Sequence, residues 1–278
     1  MKITRDLRLK NLVTPRPDRC KPVYRWFLMK ESFSSDLVHL LIKSWHLGRG
    51  DFVHDPFCGA GTTLLACKEH GIDSLGYEVH PVLFFASRVK TRNYNVADIR
   101  AFANEILNMK FEKVDIDATG VVERLFPKNL LEDIAFFRWG ISKIDKEDVR
   151  EFLLLAIRNA MMHVGGVYKN GAVLRKGKTK GSLRAALKVE VEKMLGDLEI
   201  FQQKECSTKL EFRDARETAP ERHVSAIITS PPYPLKEEYV TAYRLEEWLF
   251  GTCVQNPRLF LNISPPEGSL EESAERYF

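Results

Sequence analysis

Phe52-Val53-His54-Asp55-Pro56-Phe57-Cys58-Gly59-Ala60-Gly61-Thr62-Thr63 is the stretch that decides the fold. A short strand, Phe52-Val53-His54, leads straight into a Gly-rich turn, and Thr62 to His70 then reads as a helix stopped by Gly71. Ser74 to Val79 follows as a second strand, completing a strand-turn-helix-strand unit. In open α/β sheets, ligands bind at the carboxyl ends of the strands, where turn N–H groups and a helix N-terminus face a negative group. Gly59 and Gly61 permit that close approach, and Glu78 stands where an acid that holds ribose hydroxyls is expected, about 20 residues on. Read singly, Asp55 is a turn cap and Glu78 a solvated carboxylate. Their joint placement after successive strands favours a nucleotide-type site. The turn is neither the Gly-x-Gly-x-x-Gly of nicotinamide enzymes nor the Gly-Lys-Thr of a phosphate loop.

Upstream, residues 34–46 place Leu37, Leu40, Leu41 and Trp45 on one helical face after a Ser34 or Ser35 cap. Downstream, His80-Pro81 opens a helix to about Arg92. From Ala97 to Gln203 the pattern is almost entirely helical, with Ile99, Phe102 and Ile106 in one stretch and Leu187, Val191, Met194, Leu195 and Leu198 in another. This insertion is far longer than a connecting loop, and within it the basic run Lys169 to Gly181 reads as an exposed loop. Leu210-Glu211-Phe212-Arg213 and Val224-Ser225-Ala226-Ile227-Ile228 suit buried parallel strands and return the chain to the sheet. The organisation expected is a cofactor-binding part over 1–95, a helical insertion serving as lid or target reader over 96–205, and a catalytic part over 206–278.

Ser230-Pro231-Pro232-Tyr233 follows an apolar strand directly. Two prolines fix the backbone and remove two N–H donors, so carbonyl oxygens can line a site without competition. An exocyclic base amine has its lone pair delocalised into the ring, so methyl transfer to it needs acceptors for its N–H protons and an aligned donor. The Ser230 hydroxyl and the Pro231 carbonyl are candidate acceptors. Tyr233 is a candidate stacking platform for an extruded base, a contact worth roughly 1–3 kcal/mol.

The Asp55 turn resembles the Asp-Pro-Phe-x-Gly-x-Gly-Thr-Thr motif of DNA amino-methyltransferases, and Ser230 to Tyr233 resembles their catalytic motif. The resemblance implies a class I (Rossmann-like) methyltransferase sheet, S-adenosylmethionine as cofactor, and a DNA substrate within restriction-modification chemistry. It implies cofactor contacts by Asp55, Pro56, Phe57, Cys58, Gly59, Gly61, Thr62, Thr63 and Glu78, with Asp214 and Ala215 near the adenine. Lys21 through Ser34 is similar to the family's N-terminal motif, which brings Tyr24 and Trp26 to the cofactor; ordinary core packing explains those two rings equally well. Serine at the first position of the catalytic motif is typical of cytosine-N4 enzymes and aspartate of adenine-N6 enzymes, so cytosine N4 is favoured. Glu238-Tyr239 and Tyr243 to Gly251 resemble the helix that follows this motif in site-specific enzymes, although Leu245, Trp248 and Leu249 are better read as core. The alternatives are an adenine-N6 DNA methyltransferase, an RNA base methyltransferase, or a non-catalytic cofactor- or nucleic-acid-binding subunit of a split enzyme.

Bulk properties narrow the classes without choosing among these. The 278 residues, 44% hydrophobic and 29% charged, can bury a full core. Apolar runs such as Phe152 to Ile157 stop well short of a membrane span, and Met1 to Asp6 lacks a signal-peptide core, so a cytoplasmic protein is expected. Five scattered cysteines, Cys20, Cys58, Cys67, Cys206 and Cys253, suggest reduced thiols and no metal. A net charge of +4 is too mild to signal nucleic acid by itself, but the basic run from Lys169 to Lys180, with Arg184 and Lys188 beyond it, suits phosphate contacts as well as it suits a solvated loop. Gln255 to Phe278 shows no clear strand, so the last three strands of the implied seven-stranded sheet are missing from the pattern. A second polypeptide or protomer completing the sheet is therefore expected, since a central strand left as an edge exposes unpaired backbone groups.

Overall fold

The computed structural model describes residues 7–118, 120–170, 173–201, 203–217, 219–232 and 242–252. In chain order after three short 3-10 turns, the elements are α1 (Ser35–Ser44), β1 (Phe52–Asp55), α2 (Thr62–His70), β2 (Asp73–Glu78), α3 (Pro81–Thr91), α4 (Val96–Asn108), α5 (Val121–Leu125), α6 (Lys128–Ser142), α7 (Glu147–Gly165), β3 (Val167–Asn170), β4 (Val173–Lys176), α8 (Leu183–Ile200), β5 (Thr208–Phe212), β6 (Ala226–Ile227) and α9 (Arg244–Phe250). They form two compact units: one from the described residues of Met1–Thr91 and Phe201–Lys236, the other from those of Arg92–Ile200 and Glu237–Phe260.

The first unit holds a parallel four-stranded sheet in the order β5-β2-β1-β6. β1 pairs with β2 from Phe52↔Asp73 to Asp55↔Gly76, and with β6 through Val53↔Ala226 and His54↔Ile227. Counted along the chain, these are the third, second, first and fourth strands of the sheet, so the winding reverses between β1 and β6. A crevice opens at such a reversal, outside the carboxyl ends of the two strands.

All four residues of β1 are buried, the polar His54 and Asp55 included, and the His54 ring is satisfied by the Leu75 carbonyl at 3.0 Å. Successive side chains serve opposite faces. Val53 packs with Val38, Ile42, Ala66, Cys67, Ile72 and Ile228, and Phe52 packs with Leu75 and Tyr77 under Ala215 and Val224. Asp18, itself buried, accepts from the N–H of Ser35 at 2.8 Å and from its hydroxyl at 2.7 Å. The N-terminal segment thus supplies the carboxylate that satisfies the start of α1.

Three sequence expectations need correction. The buried face of α1 carries Val38 and Ile42 with Leu41 beside them, whereas Leu40 and Trp45 are exposed at 38% and 48%; the sheet takes a stripe of valine and isoleucine, and the bulkiest ring of the segment stays outside. The strand expected over Val224 to Ile228 is two residues long, although Ser225 N–H to Phe52 O and Ile228 N–H to His54 O continue its bonding at both ends. The insertion is not wholly helical. Residues read as an open loop form an antiparallel ribbon, with Val167↔Lys176, Tyr168↔Arg175, Lys169↔Leu174 and Asn170↔Val173 paired.

The second unit is built around α7, which packs against α4, α6 and α8. The helical faces read from the sequence hold there: Ile99 and Ile106 are buried, as are Leu187, Val191, Met194 and Leu195. In α9, Leu245 and Leu249 are buried, and Glu246, fully enclosed, pairs with Arg158 at 2.7 Å. Trp248 is only partly buried; its indole N–H donates to Asp117 at 3.0 Å. No helix among the described residues is long and apolar enough to cross a membrane. Glu238, Tyr239, Cys253 and Gln255 to Phe278 lie outside the described residues.

Candidate functional site

The β1–β6 crevice is where the two sequence motifs meet. Asp55 ends β1, and Thr229, Ser230, Pro231 and Pro232 follow β6 at the same level, because His54 pairs with Ile227. Thr63, in the first turn of α2, donates its hydroxyl to the carbonyl of Ile228 at 3.2 Å across 165 residues of sequence. Ser230, Pro231 and Pro232 are half-buried. Tyr233 lies outside the described residues.

Asp55 is 2% exposed. Burial pushes its carboxyl up from 3.8 to about 6, opposed by the Thr63 and Thr229 hydroxyls and the N–H of Phe57. The Phe57 bond is 3.2 Å long. The Thr229 hydroxyl lies beside the carboxyl, but none of its contacts has full hydrogen-bond geometry. Glu78 behaves similarly at the end of β2. Desolvation of its carboxyl raises it from 4.5 to about 7, against N–H bonds from His80 (2.7 Å), Val79 and Gly59. The side chain keeps some exposure; it is the carboxyl itself that is enclosed. The two acids also repel each other. A site with two desolvated carboxyls is prepared for hydroxyl donors and positive charge.

The turn between them leaves no room for side chains. Gly59 and Gly61 have φ of +53° and +77°. A Cβ on Gly59 would meet the Met29 sulfur at 2.9 Å, and one on Gly61 would overlap the Ser87 hydroxyl. Cys58 is buried and ties the turn to β2 through its N–H to Tyr77 O at 3.0 Å; burial pushes its thiol well up, so it is an inert packing residue.

Several contributors had no sequence signal. Gly76 sits in mid-strand because a Cβ there would lie 2.7 Å from Leu64 Cδ1 and 2.8 Å from the Cys58 sulfur. Lys90 is fully enclosed: its ammonium donates to Ala60 O at 2.8 Å and Phe27 O at 3.4 Å and lies 5.9 Å from the Tyr24 ring centre. Desolvation lowers it from 10.5 to about 8. Lys90 therefore joins the N-terminal segment to the Gly-rich turn from inside the core, a role no spacing rule reveals.

The other expected cofactor residues divide. Trp26 is wholly buried and Tyr24 is 2% exposed, with its hydroxyl bonded to Glu69, so both serve packing. Asp214 is engaged by Arg216, which donates to its carboxylate at 3.0 Å and 2.5 Å. Ala215 packs on the Phe52–Leu75–Tyr77 cluster. Cys20, Cys58, Cys67 and Cys206 are free thiols, and no group of three or more His, Cys, Asp or Glu among the described residues is placed to hold a metal.

Fold and site together define a class: a parallel α/β unit with a Gly-rich turn and a second-strand acid at its strand ends, beside a proline-bearing turn after β6. Residues 20–85, which span the N-terminal segment, the turn and Glu78, match the DNA methylase family. The chain is 26% identical over 276 residues to the Type II methyltransferase M.BsoBI of Geobacillus stearothermophilus, covering 85% of this chain and 54% of that protein. It is 27% identical over 276 residues to the Type II methyltransferase M.AvaI of a Nostoc species, covering 87% and 57% respectively. Over 137 residues it is 34% identical to the Type II methyltransferase M.MjaII of Methanocaldococcus jannaschii, 49% of this chain and 23% of that one. No solved structure matches. These matches support the resemblance to prokaryotic site-specific DNA amino-methyltransferases, and the chain spans about half the length of the first two relatives.

Proposed function

We propose that this chain carries the methyl-donor and base-binding parts of an S-adenosylmethionine-dependent methyltransferase acting on an exocyclic amino group of a DNA base, with cytosine N4 as the favoured target. The observation that carries this reading is the adjacency of the Asp55 turn and the Ser230 turn across the β1–β6 reversal. The residues fit the cofactor. Glu78 suits the ribose hydroxyls, and the Asp55–Gly61 turn, whose glycines admit no Cβ, suits the methionine part. Asp214 keeps lone pairs beyond those Arg216 occupies and could accept an adenine amine beside it or in its place. When bound, the cofactor supplies an electrophilic methyl group. The chain's own part is to hold the amine: the Ser230 hydroxyl and Pro231 carbonyl accept its N–H protons, and Tyr233 stacks on the base. The favoured cytosine rests on Ser230, where adenine-N6 enzymes more often carry an acid.

The wider architecture belongs to the same proposal: a class I methyltransferase sheet with the second unit as a large insertion. Among the described residues β6 pairs on one side only, and Ile227 is 51% exposed, so further polypeptide is expected to add strands there. The test is transfer of labelled methyl from S-adenosylmethionine to DNA or RNA, followed by nucleoside analysis. N4-methylcytosine in DNA is the expected product. Ser230→Ala should lower turnover by about 10²–10³-fold, as loss of a transition-state hydrogen-bond partner does, with S-adenosylhomocysteine affinity unchanged. Full activity in that variant, or transfer to RNA alone, would overturn the reading.

A further inference from the structure

The second unit carries a charge distribution unlike that of the rest of the chain. Between Glu151 and Glu190 the sequence has eight Lys or Arg and no Asp or Glu, although the whole chain is only +4. Several cations elsewhere in this unit are matched: Arg92 pairs with Glu147 and Glu151, Arg100 with Glu192, Arg138 with Asp117, Lys146 with Asp98. Arg175, Lys176, Lys178 and Lys180 are exposed and form no ion pair among the described residues. Unpaired like charges repel one another, so their concentration needs a compensating anion.

The ribbon of β3 and β4 holds the first two of these cations in a fixed frame. The chain after it is anchored too, by Gly177 N–H to Gly166 O at 2.9 Å and Lys180 N–H to Val164 O at 2.8 Å. Two residues beyond Lys180 it enters a cleft of about 360 Å³ between α4 and α8, lined by Asn104, Asn108, Ser182, Arg184 and Lys188. Arg184 is partly spent, since it donates to Leu107 O and lies in the field of Asp133. Asn104, Asn108, Ser182 and Lys188 remain exposed. Amide, hydroxyl and ammonium donors beside a ribbon of unpaired cations make up the donor set that binds phosphodiesters. A two-stranded ribbon is also one of the two elements that fit the major groove of B-DNA.

We infer that this ribbon and the adjoining α4–α8 cleft form the surface on which duplex DNA docks through its phosphates. The inference rests on the methyltransferase reading and adds to it where, and by which residues, the substrate is gripped. The contacts named are to phosphate, so they add affinity without sequence preference.

The test is the salt dependence of binding to a fluorescent DNA duplex, measured by anisotropy between about 50 and 200 mM salt. The probe proteins are the native protein, a variant with Arg175, Lys176, Lys178 and Lys180 all changed to Ala, Lys188→Ala, and a control with Lys110→Ala and Lys113→Ala. Each phosphate contact contributes about 0.9 to the slope of log K against log salt. The fourfold variant should therefore lose roughly 2 to 4 in slope and more than tenfold in affinity, and Lys188→Ala should lose about 1 in slope. The control should lose neither, and S-adenosylhomocysteine affinity and the thermal midpoint should stay at native values in all. A fourfold variant with native slope and affinity, or a control that falls as far, overturns the docking surface and leaves the methyltransferase reading standing. A native protein that transfers methyl to DNA but prefers single-stranded RNA in this assay overturns the surface as one for duplex DNA. A native protein that neither binds nor methylates DNA overturns both.

Discussion

Replacing Asp55 with asparagine tests whether the crevice is held ready for a ligand at the expense of stability. Burial raises this carboxyl from 3.8 to about 6. A raised acid binds more protons in the folded state than in the unfolded state, so folding stability falls as pH rises through that interval. At about 1.4 kcal/mol per pH unit, the ionised carboxyl costs roughly 3 kcal/mol at pH 8 and only about half a kcal/mol at pH 4. The asparagine amide does not titrate, and any loss from its extra N–H donors is the same at both pH values. The difference in unfolding free energy between variant and wild type should therefore grow by roughly 2.5 kcal/mol in favour of the variant between pH 4 and pH 8. Urea denaturation of the cofactor-free proteins at the two values measures it. Adding S-adenosylhomocysteine at pH 8 should move the difference back toward the wild type. A ligand at 100 times its dissociation constant stabilises by about 2.7 kcal/mol, a gain the wild type receives and the variant, lacking the carboxylate, does not. Parallel stability curves for the two proteins from pH 4 to pH 8 would refute the reasoning, because they would mean that Asp55 is not desolvated in the folded state.

Other consequences follow from the same contacts. Gly61→Ala combines a left-handed backbone, costing about 1–2 kcal/mol for a residue with a Cβ, with overlap on Ser87; calorimetry should show a lowered melting midpoint and more than tenfold weaker S-adenosylhomocysteine binding, whereas Gly48→Ala, with nothing within 4 Å, should be neutral within about 0.5 kcal/mol. Lys68 and Lys90 are both buried and both lowered from 10.5 to about 8, so what these two groups contribute to stability should rise with pH between those values. The raised thiols of Cys58 and Cys67 act in the opposite sense in every variant, so the readout is the wild-type minus variant difference, which should grow about twice as much for the double Met variant as for Lys90→Met across that interval in denaturation profiles. Gly76→Val should cost more than Gly61→Ala in stability, since both Leu64 and Cys58 stand in the way; soluble yield and melting midpoint report it.

The Asp55–Gly61 turn was legible because its geometry is local. A Gly-rich turn between a buried strand and a helix needs positive φ at set positions, and the acid after the next strand lies within the same unit, so Asp55, Gly59, Gly61 and Glu78 could be placed by spacing. The turn after β6 was legible as a turn, from two prolines after a strand. Tyr24, Trp26 and Asp214 show the limit. Their positions matched a pattern, but burial, the Glu69 contact and the Arg216 ion pair decide what they do. The ribbon of β3 and β4 escaped notice because the Lys- and Gly-rich run from Lys169 to Gly181 has the composition of a loop, and strand pairing is a relation between segments.

The sequence by itself determined the β-α-β frame and the positions of the two motifs, since these depend on residue type and short-range spacing. Only the tertiary structure decided that the motifs share one crevice, because the order β5-β2-β1-β6 brings the end of β6 against β1 across an intervening unit. It also decided which ionisable groups are strained. Desolvation of Asp55, Glu78 and Lys90 depends on which atoms close around them, and those atoms come from segments far apart in the chain.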